Sequence, residues 1–143
     1  MRKNRNFYLI TGGAGFIGTN LIKKFLQDGH KVASFDNYST GLKKNEQKGC
    51  KYFNLDLGQV KDYEFLAKKP DVIFHLAALA RIIPSFEYPR QTFEDNVNST
   101  LNILDYARKH DIKVVYAGSS SYHGGVYKNP YTYTKWQGEE LCK

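Results

Sequence analysis

Cysteine is scarce in this 143-residue chain: Cys50 and Cys142 stand alone, no CxxC pair exists, and a disulfide framework is excluded. The four histidines, His30, His75, His110 and His123, lie too far apart for a local metal motif, so no metal is expected. Long apolar runs are missing too. The basic start MRKNRN is followed by only Phe7 to Ile10 before Thr11 and a glycine cluster, too short for a secretory signal. Nothing approaches the ~20 apolar residues of a membrane helix. A cytoplasmic protein without a membrane partner is expected. Basic residues exceed acidic ones, 21 against 14, for a net charge of +7. They come as scattered pairs (Lys23 and Lys24, Lys43 and Lys44, Lys68 and Lys69), which reads as a solvated surface, and no nucleic-acid partner is expected.

What remains is ordinary for a folded domain, 41% hydrophobic and 24% charged, with no linker or repeat, so residues 1–143 read as a single unit. Short β-branched or aromatic runs alternate with helix-periodic stretches. Strands are predicted at Phe7 to Thr11, Val32 to Phe35, Tyr52 to Asn54, Val72 to His75 and Lys113 to Ala117. Ile17, Leu21, Ile22 and Phe25 fall on one helical face that Gly29 ends. Further helices are predicted from Val60 to Lys68, stopped by Pro70, from Gln91 to His110 with Phe93, Val97, Leu101 and Leu104 at helical spacing, and from about Tyr131. The alternation predicts an α/β fold, a Rossmann-like doubly wound parallel sheet of strand order 3-2-1-4-5. Ligands of such sheets bind outside the carboxyl ends of the strands.

The strand ends carry the informative residues. After the first strand comes TGGAGFIG, in which Gly13, Gly15 and Gly18 read as GxGxxG and Gly12, Gly15 and Gly18 as GxxGxxG, with Phe16 and Ile17 between them. Between a strand and a helix, such a turn lets a pyrophosphate approach the positive helix end. Asp36, followed by Asn37, ends the second strand, where a carboxylate accepts ribose hydroxyls and repels a 2′-phosphate. That favours NAD over NADP, while Lys43 and Lys44 speak for the opposite, and a plain turn role for Asp36 is the bland alternative. Asp56 and Leu57 follow the third strand, and Ala77 and Ala78 follow His75 at the fourth. His75 reads as a packed histidine, having no acidic neighbour in sequence. After the fifth strand come Ser119, Ser120 and Ser121, then Tyr131 and Lys135 one helical turn apart. Of 11 tyrosines only Tyr131 has lysine four residues on. That pairing alone is expected by chance, so its place after a serine cluster at a sheet end carries the weight.

Taken together, TGGAGFIG, FDNYSTG, HLAA, DNVNST, AGSSS and PYTYTKWQGEE, in that order, resemble the extended short-chain dehydrogenase/reductase family, the NAD-dependent sugar-nucleotide epimerases and dehydratases. The resemblance implies NAD as cofactor, held by Gly12, Gly15, Phe16, Ile17, Gly18, Asp36, Asn37, Asp56, Leu57, Ala77, Ala78, Asn96, Tyr131 and Lys135. It implies Ser121, Tyr131 and Lys135 as catalytic residues, and Ser85 and Ser121 on the substrate side. A phenol ionises near pH ~10, so one acting as a base at neutral pH needs a cation beside it, the part implied for Lys135. The implied substrate is a nucleotide sugar, a UDP-sugar foremost, and the implied reaction is 4-epimerisation.

Only nine residues separate Ser121 from Tyr131, which keeps Ser120 open as an alternative to Ser121. A 4,6-dehydratase of the family uses an Asp-Glu pair where this chain has Tyr122 and His123, which leans the reading to an epimerase. A non-catalytic NAD-binding module is the alternative from another class. Lys143 falls inside an amphipathic helix with no capping glycine, and family members run to roughly twice this length, so the substrate-binding half is expected to lie outside this chain. The resemblance also implies a homodimer through helices 91–110 and 131–143.

Overall fold

Residues 5–60, 63, 64 and 66–143 are described by the computed structural model. The strands β1 (Phe7–Thr11), β2 (Lys31–Asp36), β3 (Lys51–Asn54), β4 (Val72–His75) and β5 (Lys113–Tyr116) form one sheet of order β3-β2-β1-β4-β5. Every pairing is parallel. This is the Rossmann-like order expected from the alternation of elements. The strand that opens the chain lies at the centre of the sheet, and the winding reverses between β1 and β4.

Both sheet faces are covered, so the central strands read as continuous apolar runs rather than alternating ones. Leu9 and Ile10 show how the two-residue period divides them. Leu9 joins Phe35, Ile73 and Tyr63 under Ile103, Tyr106 and Ala107 of helix α4 (Ser99–His110). Ile10 joins Val32 and Ile22 on the other face, beneath helix α1 (Phe16–Gln27), with Tyr8, Phe25 and Phe74 packed around them. Ring centroids of Tyr8 and Phe25 are 4.3 Å apart, and those of Phe35 and Tyr63 are 5.1 Å apart.

Several elements differ from the sequence expectation. The helix expected over Val60 to Lys68 includes residues 61, 62 and 65, which lie outside the described residues; the remainder of that stretch is turn and bend. The short helix α2 (Ile82–Glu87) was not anticipated from periodicity, since it is under two turns long, whereas α3 (Pro89–Phe93) begins the long helix expected from Gln91. The expected helix from Gln91 to His110 is α3, a π-helical turn at Glu94–Asn98 and α4 in unbroken succession. A π turn holds an extra residue, so it rotates everything beyond it around the helix axis. The stripe of Phe93, Val97, Leu101 and Leu104 does not stay on one core face: Val97 is buried, but Phe93 and Leu101 are both 40% exposed, and beyond the π turn it is Ile103, Tyr106 and Ala107 that are buried. Ile17 likewise is 64% exposed rather than packed with Ile22. The last helix, α5 (Pro130–Leu141), starts about where expected but ends at Leu141 with Cys142 as its cap, so Lys143 lies beyond the helix and not inside it.

Candidate active site at the carboxyl ends of the strands

The turn between β1 and α1 is shaped by what glycine omits. Gly12 has φ +74°, and a Cβ there would lie 3.0 Å from the backbone of Ala77. At Gly18 a Cβ would fall 2.2 Å from the carbonyl oxygen of Gly12, so the helix can press on the turn only because that position is bare. Gly15 caps α1 without a side-chain hydrogen bond, and the first turn of α1 holds no acidic residue. No acidic side chain of the helix's own first turn thus competes for its positive end.

Asp36 at the end of β2 locks this turn. Its Oδ2 accepts from the Ala14 N–H at 2.8 Å, and its Oδ1 accepts from the Tyr38 N–H at 2.8 Å. Each carboxylate oxygen keeps a further lone pair for a ligand hydroxyl. Asp56 similarly accepts from the Gly58 N–H at 2.8 Å.

A cavity of about 820 Å³ runs along these strand ends. Gly12, Gly15, Phe16, Ile17 and Gly18, Asp36 and Asn37, Asp56 and Leu57, and Ala77 and Ala78 all line it. The exposure of Phe16 and Ile17 has its reason here, because they form the cavity wall rather than the core. Sequence reasoning missed Ser39, Thr40, Gly41, Arg81, Tyr88 and Ala117 of the same lining. The Ser-Thr-Gly run three residues beyond Asp36 was a usable signal for the first three; Arg81 and Tyr88 come from the short α2 region, which has no periodicity to read.

The remaining site residues do not line this cavity. Ser85 is fully buried, and its Oγ donates to the Ile82 carbonyl at 2.6 Å, which commits it to its own helix. Asn96, 1% exposed, accepts from the Leu79 N–H at 2.7 Å and donates to Thr134 Oγ1 at 3.0 Å. It ties the loop after β4 to α5 and acts on the cavity through that loop. Ser121 Oγ lies 2.9 Å from Ser119 Oγ in a short 3₁₀ turn.

Helix α5 is started by Asn129, whose Oδ1 accepts from the Thr132 N–H at 2.8 Å, with Pro130 at the first helical position. Tyr131 and Lys135 follow on one face. Lys135 is buried, and burial pulls its ammonium down to about 8, against the opposing pull of Cys142 and Glu139. Its Nζ sits 4.2 Å from the centroid of the Tyr116 ring. His75, as expected, is a packed residue: Nδ1 meets Thr11 Oγ1 at 2.7 Å and Nε2 meets Thr100 Oγ1 at 2.9 Å. Burial, with Lys135 nearby, holds its pKa at about 3. The chain neighbours of His75 and Tyr116, Leu76 and Ala117, line the cavity, which puts the Lys135 cluster directly behind its wall.

The NAD dependent epimerase/dehydratase family matches residues 8–143. A UDP-glucuronic acid decarboxylase 1 from Xenopus tropicalis is 36% identical over 94% of this chain and 32% of its own length. A UDP-glucose 4-epimerase from Methanocaldococcus jannaschii, itself named as putative, is 34% identical over 94% of this chain and 49% of its own. Among solved structures, a Thermus thermophilus UDP-glucose 4-epimerase in complex with NAD superposes with a TM-score of 0.82 at 33% identity, covering 94% of this chain and 49% of that one. The chain thus spans between about a third and a half of the length of these relatives.

Proposed function

Since the chain belongs to the NAD-dependent epimerase/dehydratase family, we propose that it is the cofactor-binding and proton-transfer part of a nucleotide-sugar 4-epimerase acting on UDP-sugars. Residues 1–143 are read as one NAD-binding unit, and the two free cysteines fit a reducing cytosol. No helix among the described residues is long and apolar enough to cross a membrane.

The observation that carries this reading is the cavity, whose wall is built from the ends of β1, β2, β3 and β4 at the reversal of winding. The residues present fit NAD. The bare Gly12 and Gly18 let the turn close on the backbone of Ala77 and on α1, Gly15 at the helix start opens onto the cavity for a pyrophosphate, and the buried Asp36 carboxylate suits ribose hydroxyls and disfavours a 2′-phosphate. When bound, NAD supplies a hydride acceptor that can later return the hydride. The chain's own residues move the proton. The Tyr131 phenolic oxygen takes the proton of the sugar 4-hydroxyl, and Ser121 Oγ donates a hydrogen bond to the same oxygen. Lys135, held as an ammonium over most of the neutral range, offsets the negative charge that Tyr131 carries as a base. On the return step Tyr131 gives the proton back to the C4 oxygen, and the configuration at C4 is inverted because the keto-sugar has turned its opposite face to the cofactor.

The dehydratase reading is weaker for this chain, and a decarboxylase is the second reading, since a relative of that name is 36% identical. Tyr122 and His123, stacked with centroids 4.1 Å apart, bring no carboxylate to the stretch after Ser121. The product decides among the three. Protein containing this chain, incubated with NAD and UDP-glucose, UDP-N-acetylglucosamine or UDP-glucuronate, is expected to give the 4-epimer at unchanged mass by NMR and mass spectrometry. Loss of water or of carbon dioxide would replace the proposal by one of the others. Tyr131→Phe should lower turnover by roughly 100-fold or more while NAD affinity stays within a few-fold. Equal loss in Tyr133→Phe would show that the phenol is misassigned.

A further inference from the structure

Behind the cavity wall, three side chains from three elements form a column: His75 from β4, Tyr116 from β5 and Lys135 from α5. The rings of His75 and Tyr116 have centroids 5.9 Å apart, and the Lys135 ammonium lies 4.2 Å from the centroid of the Tyr116 ring. The Tyr116 hydroxyl then donates to the backbone carbonyl of Lys135 at 3.2 Å. One turn further along α5, Gly138 is bare at the point where a Cβ would come within 2.2 Å of the Tyr116 oxygen. Ring, hydroxyl and the missing side chain together fit Tyr116 to the helix around Lys135.

We propose that Tyr116 is a positioning residue for Lys135, its ring holding the ammonium in place and in its charged form and its hydroxyl fixing the helical turn that carries it. This rests on the reading of Lys135 as part of the site, but its test does not. A buried ammonium with no compensation would lose its proton easily. The groups facing it are the neutral His75 from β4, the Tyr116 ring from β5, and Tyr131, Glu139 and Cys142 from its own helix. The ring's negative face favours the cation without adding a competing anion, which a carboxylate in that place would do. Lys135 is thereby kept free to act on Tyr131 instead of being claimed by a salt bridge.

The Lys135 side-chain resonance of the folded 143-residue chain, followed by NMR against pH, reads this directly and needs no turnover. Tyr116→Leu is expected to lower the pKa of Lys135 by about one unit, and Tyr116→Phe to leave it within a few tenths, since the ring is kept. Phenylalanine bearing one, two and three fluorines at position 116 preserves shape while draining the ring face, and should lower the pKa stepwise even if Tyr116→Leu fails to fold. An unchanged Lys135 pKa across the fluorinated series overturns the proposal, as does a fall in Tyr116→Phe equal to that in Tyr116→Leu. A stepwise fall in this chain, with no 4-epimer formed by protein that contains it together with a substrate-binding half, would refute the enzymatic reading and leave this one standing.

Discussion

Single atoms decide much at the glycine turn and behind it. Gly18→Ala must place a methyl group against the Gly12 carbonyl, a backbone atom that cannot swing aside. It is expected to cost more than about 2 kcal/mol and to weaken NAD binding with it. Gly29→Ala is the control: its φ of +86° carries strain but a Cβ there meets nothing within 4 Å, so about 1–2 kcal/mol is expected, with NAD affinity retained. Urea titration and NAD calorimetry on both variants check the contrast; equal loss of NAD affinity would undo it. His75 and Lys135 set two pH windows. The native His75 takes a proton only near pH 3, whereas the unfolded side chain does so near 6.5, so the unfolded state binds more protons between them and stability falls as pH drops through that range. Lys135 releases its proton near 8 when folded and near 10.5 when unfolded, so stability rises with pH across that second window. His75→Gln, which can still bond Thr11 and Thr100, should flatten the acid slope by up to about 1.4 kcal/mol per pH unit. Urea midpoints from pH 4 to 7 measure it; parallel curves for the two proteins would show that the histidine is not held neutral.

The π turn at Glu94–Asn98 accounts for much that the sequence could and could not disclose at the level of elements. The strands were legible because β1 and β4 are short, apolar and bounded by breakers, and β1 and β4 match their expected limits to the residue. Helix α5 was legible from Asn129 and Pro130, which start it. The face of α4 was not, because Val97 and Leu101 keep a helical spacing that holds only for an unbroken α-helix, and with one extra residue Val97 is buried while Leu101 turns outward. The same turn buries Asn96, whose residue type and place in DNVNST were legible but whose partners, Leu79 and Thr134, come from distant segments. The strand-end residues singled out in the sequence line one cavity, since motif and topology agree there; Ser85 lies outside that lining, its Oγ bonded to the Ile82 carbonyl in a helix too short to predict. Asn96→Ala strips the Leu79 N–H and Thr134 of a buried partner, and a loss on the order of 2–3 kcal/mol is expected. Hydrogen exchange should show the Leu79 amide opening faster, with NAD affinity reduced through the loosened Leu76 to Arg81 loop. Unchanged protection of Leu79 would mean that the loop is held by other contacts.

For the whole molecule, the outward turn of α3 and α4 leaves apolar surface that the sheet does not cover. Phe93 and Leu101 are 40% exposed, and on α5 Tyr133 is 36% exposed, stacked between Tyr127 and Trp136 with centroids 5.9 and 6.1 Å away. Apolar side chains this size, gathered on neighbouring helices, favour burial against another surface. A homodimer through these helices, with the same faces meeting across a two-fold axis, would supply it. Mutual burial of two leucines and two phenylalanines is opposed by the entropy of association, so dissociation in the micromolar range is a reasonable expectation for a patch of this extent. Leu101→Glu would set two carboxylates against that interface and is expected to weaken the dimer by roughly tenfold or more without lowering the melting temperature of the monomer. Ile83→Glu, at a position 74% exposed on α2 and off the two helices concerned, should leave assembly unchanged. Sedimentation equilibrium from one to a hundred micromolar on all three proteins decides the matter, with concentrations chosen on the order of that expected range. A monomer throughout, or a dimer broken by Ile83→Glu and indifferent to Leu101→Glu, would move the interface away from α3, α4 and α5.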